Sequence, residues 1–343
     1  MIRRLQTGVD EGCAAFLARA SGADYSHDPV WIDIIRETYG RETFLLAYHD
    51  EPHGPVRGIA AAAWLESPLG RQLVCLPFLD YGGPIAEDAS LHAVLLDALL
   101  AEAATRKASL EIRSREPLPG LVLPRNEKVG MILRLNGGDQ EAYWKSLDAK
   151  VRNQVRKAEK SAVKVEWGRE DKLPDFYRVF CQNMRDLGSP VHSSRLFVNV
   201  LRRFPGAEVG VAYREGRCIG GLFRILWKDA LVIPWASTLR EERIHSPNNA
   251  MYWESIRFAF EKGCSQVDFG RSSKDEGTYK FKKQWLAEER PLCWYPFDAA
   301  GKQALEVTHA ASGKLKFAQS LWTRLPLTVA NALGPRIRGY ISA

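Results

Sequence analysis

Cysteine is sparse in this sequence of 343 residues, and the six present (Cys13, Cys75, Cys181, Cys218, Cys264, Cys293) are scattered, with no Cys-x-x-Cys pair. That excludes a disulfide framework. Set in apolar runs such as Leu73-Val-Cys-Leu76, they read as small buried residues in a reducing compartment. Histidine is also scarce, at seven. With no His-x-x-His or His-Glu-x-x-His spacing, no metal site is expected. There is no Gly-x-Ser-x-Gly elbow and no P-loop, which removes two large enzyme classes. No window approaches ~18 uncharged apolar residues, so no segment is expected to span a bilayer. Met1-Ile2-Arg3-Arg4 runs into no apolar stretch, so no signal peptide is expected and the protein reads as cytoplasmic.

Hydrophobic residues make up 45% and charged residues 26%, enough for a sizeable core. The length exceeds the ~100–200 residues usual for one domain and suggests two. A formal net charge of +7 favours an anionic partner such as a phosphate, a nucleic acid or a membrane surface.

The sequence also repeats itself. His27-Asp-Pro-Val-Trp-Ile-Asp-Ile-Ile-Arg36 leads to Phe44-Leu-Leu-Ala-Tyr48, and His192-Ser-Ser-Arg-Leu-Phe-Val-Asn-Val-Leu-Arg202 leads to Val209-Gly-Val-Ala-Tyr213. The interval from His27 to Tyr48 equals that from His192 to Tyr213. In each copy a polar cap opens an amphipathic helix that runs into a strand ending Ala-Tyr. A turn follows, then a small-residue strand (Gly58 to Trp64; Cys218 to Trp227), then a third strand (Gln72 to Phe78; Ala230 to Ala236). A long helix (Ala89 to Lys107; Asn248 to Lys262) then leads to a closing strand (Ser109 to Arg113; Ser265 to Phe269). Antiparallel strands on short turns, followed by a helical crossover, predict an α/β fold with a mixed, mainly antiparallel sheet flanked by helices in each copy.

Between the copies one helix is expected over Gln140 to Ser161. Tyr143, Trp144, Leu147, Val151 and Val155 form its apolar face, and it carries Lys150, Arg152, Arg156, Lys157 and Lys160. Two readings of those cations stand: a solvated face, or phosphate contact by Arg152 and Arg156 acting together from adjacent turns. The densest cluster of reactive groups is Val267-Asp-Phe-Gly-Arg-Ser-Ser-Lys-Asp-Glu-Gly-Thr-Tyr-Lys-Phe-Lys-Lys-Gln-Trp285. There a strand ends at Asp268, Gly270 turns the chain and a polar loop follows. The lysines after it stand at a strand's carboxyl end, where open α/β sheets place ligands.

Asp268-Phe-Gly-Arg271 followed by Tyr279-Lys-Phe-Lys-Lys-Gln-Trp285 resembles the signature of the FemAB-like aminoacyl- and acyltransferases of the GNAT superfamily. Asn183-Met-Arg-Asp-Leu-Gly-Ser-Pro190, the His192 helix, the basic Arg152–Lys160 segment and Asn249-Ala-Met-Tyr-Trp253 are similar to the same family. The particular flavour resembles the FemAB-like proteins associated with exosortase and exopolysaccharide systems. The resemblance implies tandem GNAT-like domains, here 1–139 and 140–300 followed by a basic amphipathic tail 301–343, with the acceptor bound between the domains. It implies transfer of an acyl or aminoacyl group from an activated ester to an amine on a cell-envelope or exopolysaccharide precursor. It also implies a charge-stabilising role for Lys282 beside the reacting carbonyl. Substrate contact would involve Arg152, Arg156, Asn183, Arg185, His192, Tyr279, Lys280 and Phe281, with an anionic or lipid-linked sugar as acceptor. Two family features are missing, a coiled-coil arm and a Gln/Arg-x-x-Gly-x-Gly/Ala pyrophosphate loop. The nearest approach to that loop, Arg217-Cys-Ile-Gly-Gly221, reads as a turn into a strand. The donor therefore stays open between acyl-CoA and aminoacyl-tRNA, with no tightly bound cofactor expected.

Attack of an amine on an ester builds negative charge on the carbonyl oxygen, which Lys282 or Arg271 could stabilise. Asp268 or His192 could take the amine's proton. Asp268 reads equally as a structural partner of Arg271, and His192 as a helix-entry residue like His27. A nucleic-acid-binding protein, with transfer RNA as partner, and a non-catalytic scaffold with a degenerate GNAT fold are the alternatives. In the tail, Leu321, Trp322, Leu325, Leu327, Val329, Leu333 and Ile337 interleave with Lys302, Lys314, Lys316, Arg324, Arg336 and Arg338. Short helices broken at Pro326 and Pro335 are expected there. They either pack onto the second domain or rest on a membrane surface.

Overall fold

The first copy of the repeat opens with strand β1 (Ile2–Leu5) and helices α1 (Glu11–Arg19) and α2 (Val30–Tyr39). Strands β2 (Thr43–His49), β3 (Val56–Ser67), β4 (Gly70–Val74) and β5 (Ile85–Ala86), helix α3 (Ala89–Thr105) and strand β6 (Ser109–Ser114) follow. The computed structural model describes residues 1–67, 70–135, 137–307 and 313–342. Helix α2 buries Trp31, Ile32, Ile34 and Ile35, and Gly40 at φ 64° ends it in the left-handed conformation. β1 to β4 pair antiparallel in sequence. β4 and β6 pair parallel, which requires a crossover, and α3 supplies it. Leu91, Leu95, Leu99 and Ala103 of α3 are buried at helical spacing. Leu95, Leu99 and Ala103 share a core with Phe44, Leu46, Ala60 and Ala62 of the sheet.

The second copy begins with β7 (Lys128–Arg134), α4 (Gln140–Ser146), α5 (Ala149–Lys160), β8 (Lys164–Gly168), α6 (Leu173–Asp186) and α7 (Ser194–Arg203). Next come β9 (Ala207–Arg214), β10 (Arg217–Trp227), β11 (Ala230–Thr238), α8 (Pro247–Glu261), β12 (Gln266–Ser273), α9 (Gly277–Lys283) and β13 (Glu288–Pro291). β9 and β10 meet in a two-residue turn with Glu215 at φ 51° and Gly216 at φ 75°, the primed geometry that suits strand twist. β8 to β11 are antiparallel, and β11 to β12 parallel. β14 (Cys293–Phe297), α10 (Gly313–Trp322) and α11 (Leu327–Arg338) complete the chain.

The two sheets have one plan. The first runs β1-β2-β3-β4-β6-β14 with β5 on β3, and the second β13-β7-β12-β11-β10-β9-β8. The strand beside the closing strand is β14 in the first and β7 in the second, so each sheet takes a strand from the block of sequence expected to form the other. The contiguous blocks 1–139, 140–300 and 301–343 expected from the sequence are therefore interleaved. One unit comprises Met1–Lys128, Pro291–Ala310 and Arg336–Ala343, the other Val129–Arg290 and Ala311–Pro335. Strand pairing is a long-range choice that local periodicity does not record.

Two further expectations are corrected. The helix expected over Gln140 to Ser161 is two helices, because Asp148 caps α5 by accepting the Lys150 N–H and Leu147 turns extended. Pro335 lies inside α11 instead of breaking it. A side chain at Gly334 would come within 2.8 Å of Val191 Cγ1, so this turn of helix is held by close packing that overrides propensity.

Candidate functional site

In the second unit β11 and β12 pair over only three positions, Ala230↔Gln266, Leu231↔Val267 and Val232↔Asp268. β11 then runs on to Thr238 and β12 to Ser273, with no ladder between these stretches. Gly270 (φ 70°) kinks β12 where the pairing stops, and Asp268 Oδ1 closes the kink by accepting the Gly270 N–H at 2.7 Å. The strand thus continues through Gly270 where a polar loop was expected. Among the described residues, the buried polar atoms without a hydrogen-bond partner include Ser272 Oγ on the continuation of β12 and Asn248 Oδ1 in the first turn of α8. No side chain caps α8. Ser246, at its N-cap, turns its hydroxyl to Gln154 Oε1 of α5, 2.5 Å away. Pro247 has no N–H, and the Asn249 and Ala250 amides donate to the Ser246 carbonyl at 3.0 and 3.3 Å, so what the uncapped α8 N-terminus offers an anion is the Asn248 amide and its partial positive charge. Sequence reasoning missed Ser272, Asn248 and Gln154. A Pro at N1 behind a serine was the available signal for a helix start at Asn248.

Helix α9 distributes the lysine-rich motif in three directions. Lys282 is 7% exposed and its ammonium donates to the carbonyls of Gly270 (3.2 Å) and Arg271 (2.8 Å), so it pins the kink of β12. Phe281 turns inward, edge-on to Tyr252 at 4.9 Å and near Trp285. Tyr279 and Lys280 line a groove of ≈ 380 Å³ with Lys150, Lys283 and Leu286. The Tyr279 hydroxyl donates to Glu289 at 2.5 Å. That bond raises the phenol's pKa and, with Lys274, lowers that of the Glu289 carboxyl. Beneath α9, Tyr143 donates to the Trp285 carbonyl at 2.9 Å, and burial pushes its hydroxyl above the usual phenol range.

The structure thus joins Asp268, Arg271 and Lys282 through the backbone of one kink, and gives the other predicted residues separate partners. Arg152 donates to the carbonyls of Lys145 and Leu147. The break after α4 leaves those carbonyls without helical donors, and Arg152 takes their place. Arg156 instead reaches Asn153 at 3.4 Å and lies 6.0 Å from the Trp144 ring. The two arginines therefore do not form one anion grip. Asn183 donates to Ser237 Oγ at 3.0 Å. Arg185 donates to the Leu325 carbonyl at 3.3 Å and pairs with Asp186. His192 is buried edge-on to Phe197 and Trp235. Its counterpart His27 forms a reciprocal cap with Asp24, so both histidines sit at helix entries. Gly220 and Gly221 lie inside β10. A side chain on Gly221 would meet Phe176 at 2.8 Å, and one on Gly220 would meet Met251 at 3.0 Å, so these glycines serve packing on both faces of the sheet. All six cysteines are buried and free. Among the described residues no cluster of three or more His, Cys, Asp or Glu could hold a metal ion.

Residues 145–283 match the family model described as an acetyltransferase (GNAT) domain. No curated protein matches the chain. Among solved structures, FemX has 14% identity and a TM-score of 0.67, over 86% of this chain and 97% of its own. L-PGS from Bacillus licheniformis has 11% identity and a TM-score of 0.55, over 99% of each chain. A tandem GNAT protein from the clavulanic acid biosynthesis pathway has 10% identity and a TM-score of 0.51, over 87% of this chain and 99% of its own. At these identities the likeness is one of fold. This chain has the tandem GNAT fold, and the match to the GNAT acetyltransferase model falls in its second unit.

Proposed function

We propose that this tandem GNAT chain is a FemAB-like N-acyltransferase. It moves an acyl or aminoacyl group from acyl-CoA or aminoacyl-tRNA to an amine on an anionic or lipid-linked cell-envelope or exopolysaccharide precursor. The observation that carries the reading is the early end of the β11–β12 ladder together with the uncapped N-terminus of α8. Either donor presents phosphate groups, and a helix N-terminus with no carboxylate cap and a partial positive charge suits them. In this reading the acyl carbonyl lies by the kink of β12. The Lys282 ammonium and the dipoles it orients offset the charge that develops on the carbonyl oxygen. Asp268 takes the amine's proton directly or through one water as the C–N bond forms, and returns it to the thiolate or ribose oxygen as the C–S or C–O bond breaks.

Asn248→Asp tests the assignment, because a carboxylate in the first turn of α8 opposes a phosphate there. Transfer of labelled acyl groups from acyl-CoA and from aminoacyl-tRNA to a panel of amino sugars would be followed. The donor KM is expected to rise about tenfold, the effect of ~1.4 kcal/mol, with kcat little changed. An unchanged KM for whichever donor is used would refute phosphate binding at α8. Absence of transfer from both donors would refute the activity.

A further inference from the structure

Beyond the transferase reading, and independent of it, we infer that the outward face of α10 and α11 docks on an anionic lipid bilayer. No Asp or Glu follows Glu306, whereas Lys314, Lys316, Arg324, Arg336 and Arg338 do. Up to Pro335 the inward side of this segment is fixed within the second unit. Gly334 abuts Val191, the Gln319 carbonyl lies 2.9 Å from where a side chain on Gly188 would begin, and Arg185 holds the Leu325 carbonyl. Ala330 and Gly334 are buried one helical turn apart.

The other side remains apolar and uncovered. Phe317 is 66% exposed, and Leu321, one turn on, is exposed with it. On α11 the exposed Val329, Leu333 and Ile337 follow at successive turns. Arg324 and Arg336 are exposed beside these rows and make no ion pair among the described residues. The tail therefore divides the two roles its sequence allowed, small residues packing inward and large apolar residues facing out.

The charge decides the occupant. A second copy docked face to face would gather the exposed Arg324 and Arg336 of both chains into one interface with no acidic residue of the tail to offset them, and like charges brought together disfavour it. Anionic headgroups supply the counter-charge that the segment after Glu306 lacks. α10 and α11 fall short of the ~20 residues needed to cross a bilayer, and among the described residues no helix is long and apolar enough to do so. The geometry is that of helices lying in the interface plane, with the apolar row dipped towards the acyl chains and the arginines at headgroup level.

Cosedimentation of the full chain with vesicles of phosphatidylcholine, with and without phosphatidylglycerol, tests this. Binding is expected only with phosphatidylglycerol and should weaken as salt rises. Val329→Glu/Leu333→Glu, at exposed positions, should lower the partition coefficient at least tenfold with an unchanged thermal midpoint. Arg324→Gln/Arg336→Gln, which leaves the apolar row intact, should lower it about fivefold per charge. Wild-type binding by both variants would overturn the inference, as would failure of the wild type to bind phosphatidylglycerol vesicles. A dimer seen by sedimentation velocity that Val329→Glu/Leu333→Glu dissociates, without vesicle binding, would assign the face to a second copy instead.

Discussion

Replacing Lys282 by alanine separates the two things this residue does. Its ammonium is buried and donates to the carbonyls of Gly270 and Arg271, the two residues at the kink of β12. Alanine leaves both carbonyls without that donor, at about 1–3 kcal/mol for each buried polar group left unsatisfied. Water entering the space left by the side chain would recover part of this, so a loss of roughly 2–4 kcal/mol is expected. In a domain of this size each kcal/mol lowers the melting midpoint by about 2–4 °C. The proposed chemistry adds a separate effect. Removing one group that stabilises a developing oxyanion lowers turnover by about 10²–10³-fold.

The assay pairs thermal melts with single-turnover acyl transfer, run well below each variant's midpoint so that every molecule counted is folded. Lys282→Met keeps the apolar stem and discards the charge, so its turnover should fall as far as that of Lys282→Ala. Lys282→Arg keeps a cation and donors for the same carbonyls, so it should retain part of the turnover and most of the stability. Lys280→Ala, on the exposed side of the same helix, should leave the melt unchanged. A folded Lys282→Met or Lys282→Ala protein with wild-type turnover would refute the catalytic role and leave Lys282 as a pin for the strand.

Gly221→Ala drives a Cβ to 2.8 Å from the Phe176 ring and should cost about 1–3 kcal/mol by denaturant unfolding; a neutral result would mean α6 yields more than the packing implies. Burial alone would raise the pKa of Asp24, but the charge and hydrogen bond of His27, with Arg115 and Ser26, hold it at about 2. A carboxyl depressed on folding stabilises the protein above its ordinary range, and the contribution fades as pH falls from about 4 towards 2. The loss should be roughly 2 kcal/mol, and Asp24→Asn should flatten the melting-midpoint profile across that window. Arg152→Ala should cost about 1 kcal/mol by removing the donor that closes α4 and leave donor KM unchanged; a large rise in KM would restore Arg152 to the binding site.

Much of the fold was legible because the repeat writes the same periodicities twice. His27-to-Tyr48 and His192-to-Tyr213 mark equivalent helices and strands, and the long helices and closing strands stand where the pattern puts them. The exchange of β7 and β14 was not legible, since both are short apolar strands whose partners lie far away in sequence. The break between α4 and α5 did leave a trace, Asp148 ahead of Ala149, but the continuous apolar row from Tyr143 to Val155 masked it. At the site the sequence singled out the lysines of α9 yet could not show that Lys282 alone turns inward. Its partners are backbone carbonyls, which no residue type announces. Ser272 and Asn248 were harder still, because what distinguishes them is a missing partner.

The two copies share a frame, and they differ at one register in ways that bear on the proposed donor site. The parallel ladders begin Gln72↔Ser109 and Ala230↔Gln266, which aligns Glu111 with Asp268 and Arg113 with Gly270. In the first unit the ladder is prolonged by Cys75 N–H to the Glu111 carbonyl (2.9 Å) and Gly83 N–H to the Arg113 carbonyl (2.7 Å). The Arg113 side chain is fully buried there, bonded to Glu111 and the Leu79 carbonyl. The following helix end is closed as well: Asp88 caps α3 by accepting the Leu91 N–H at 3.1 Å, and its carboxylate opposes any anion. In the second unit a glycine stands in place of the arginine, the ladder stops, and α8 starts without a side-chain cap. One arginine-to-glycine difference and one carboxylate cap therefore separate a closed, packed copy from an open one, and Lys282 holds the open copy's strand in its kinked form.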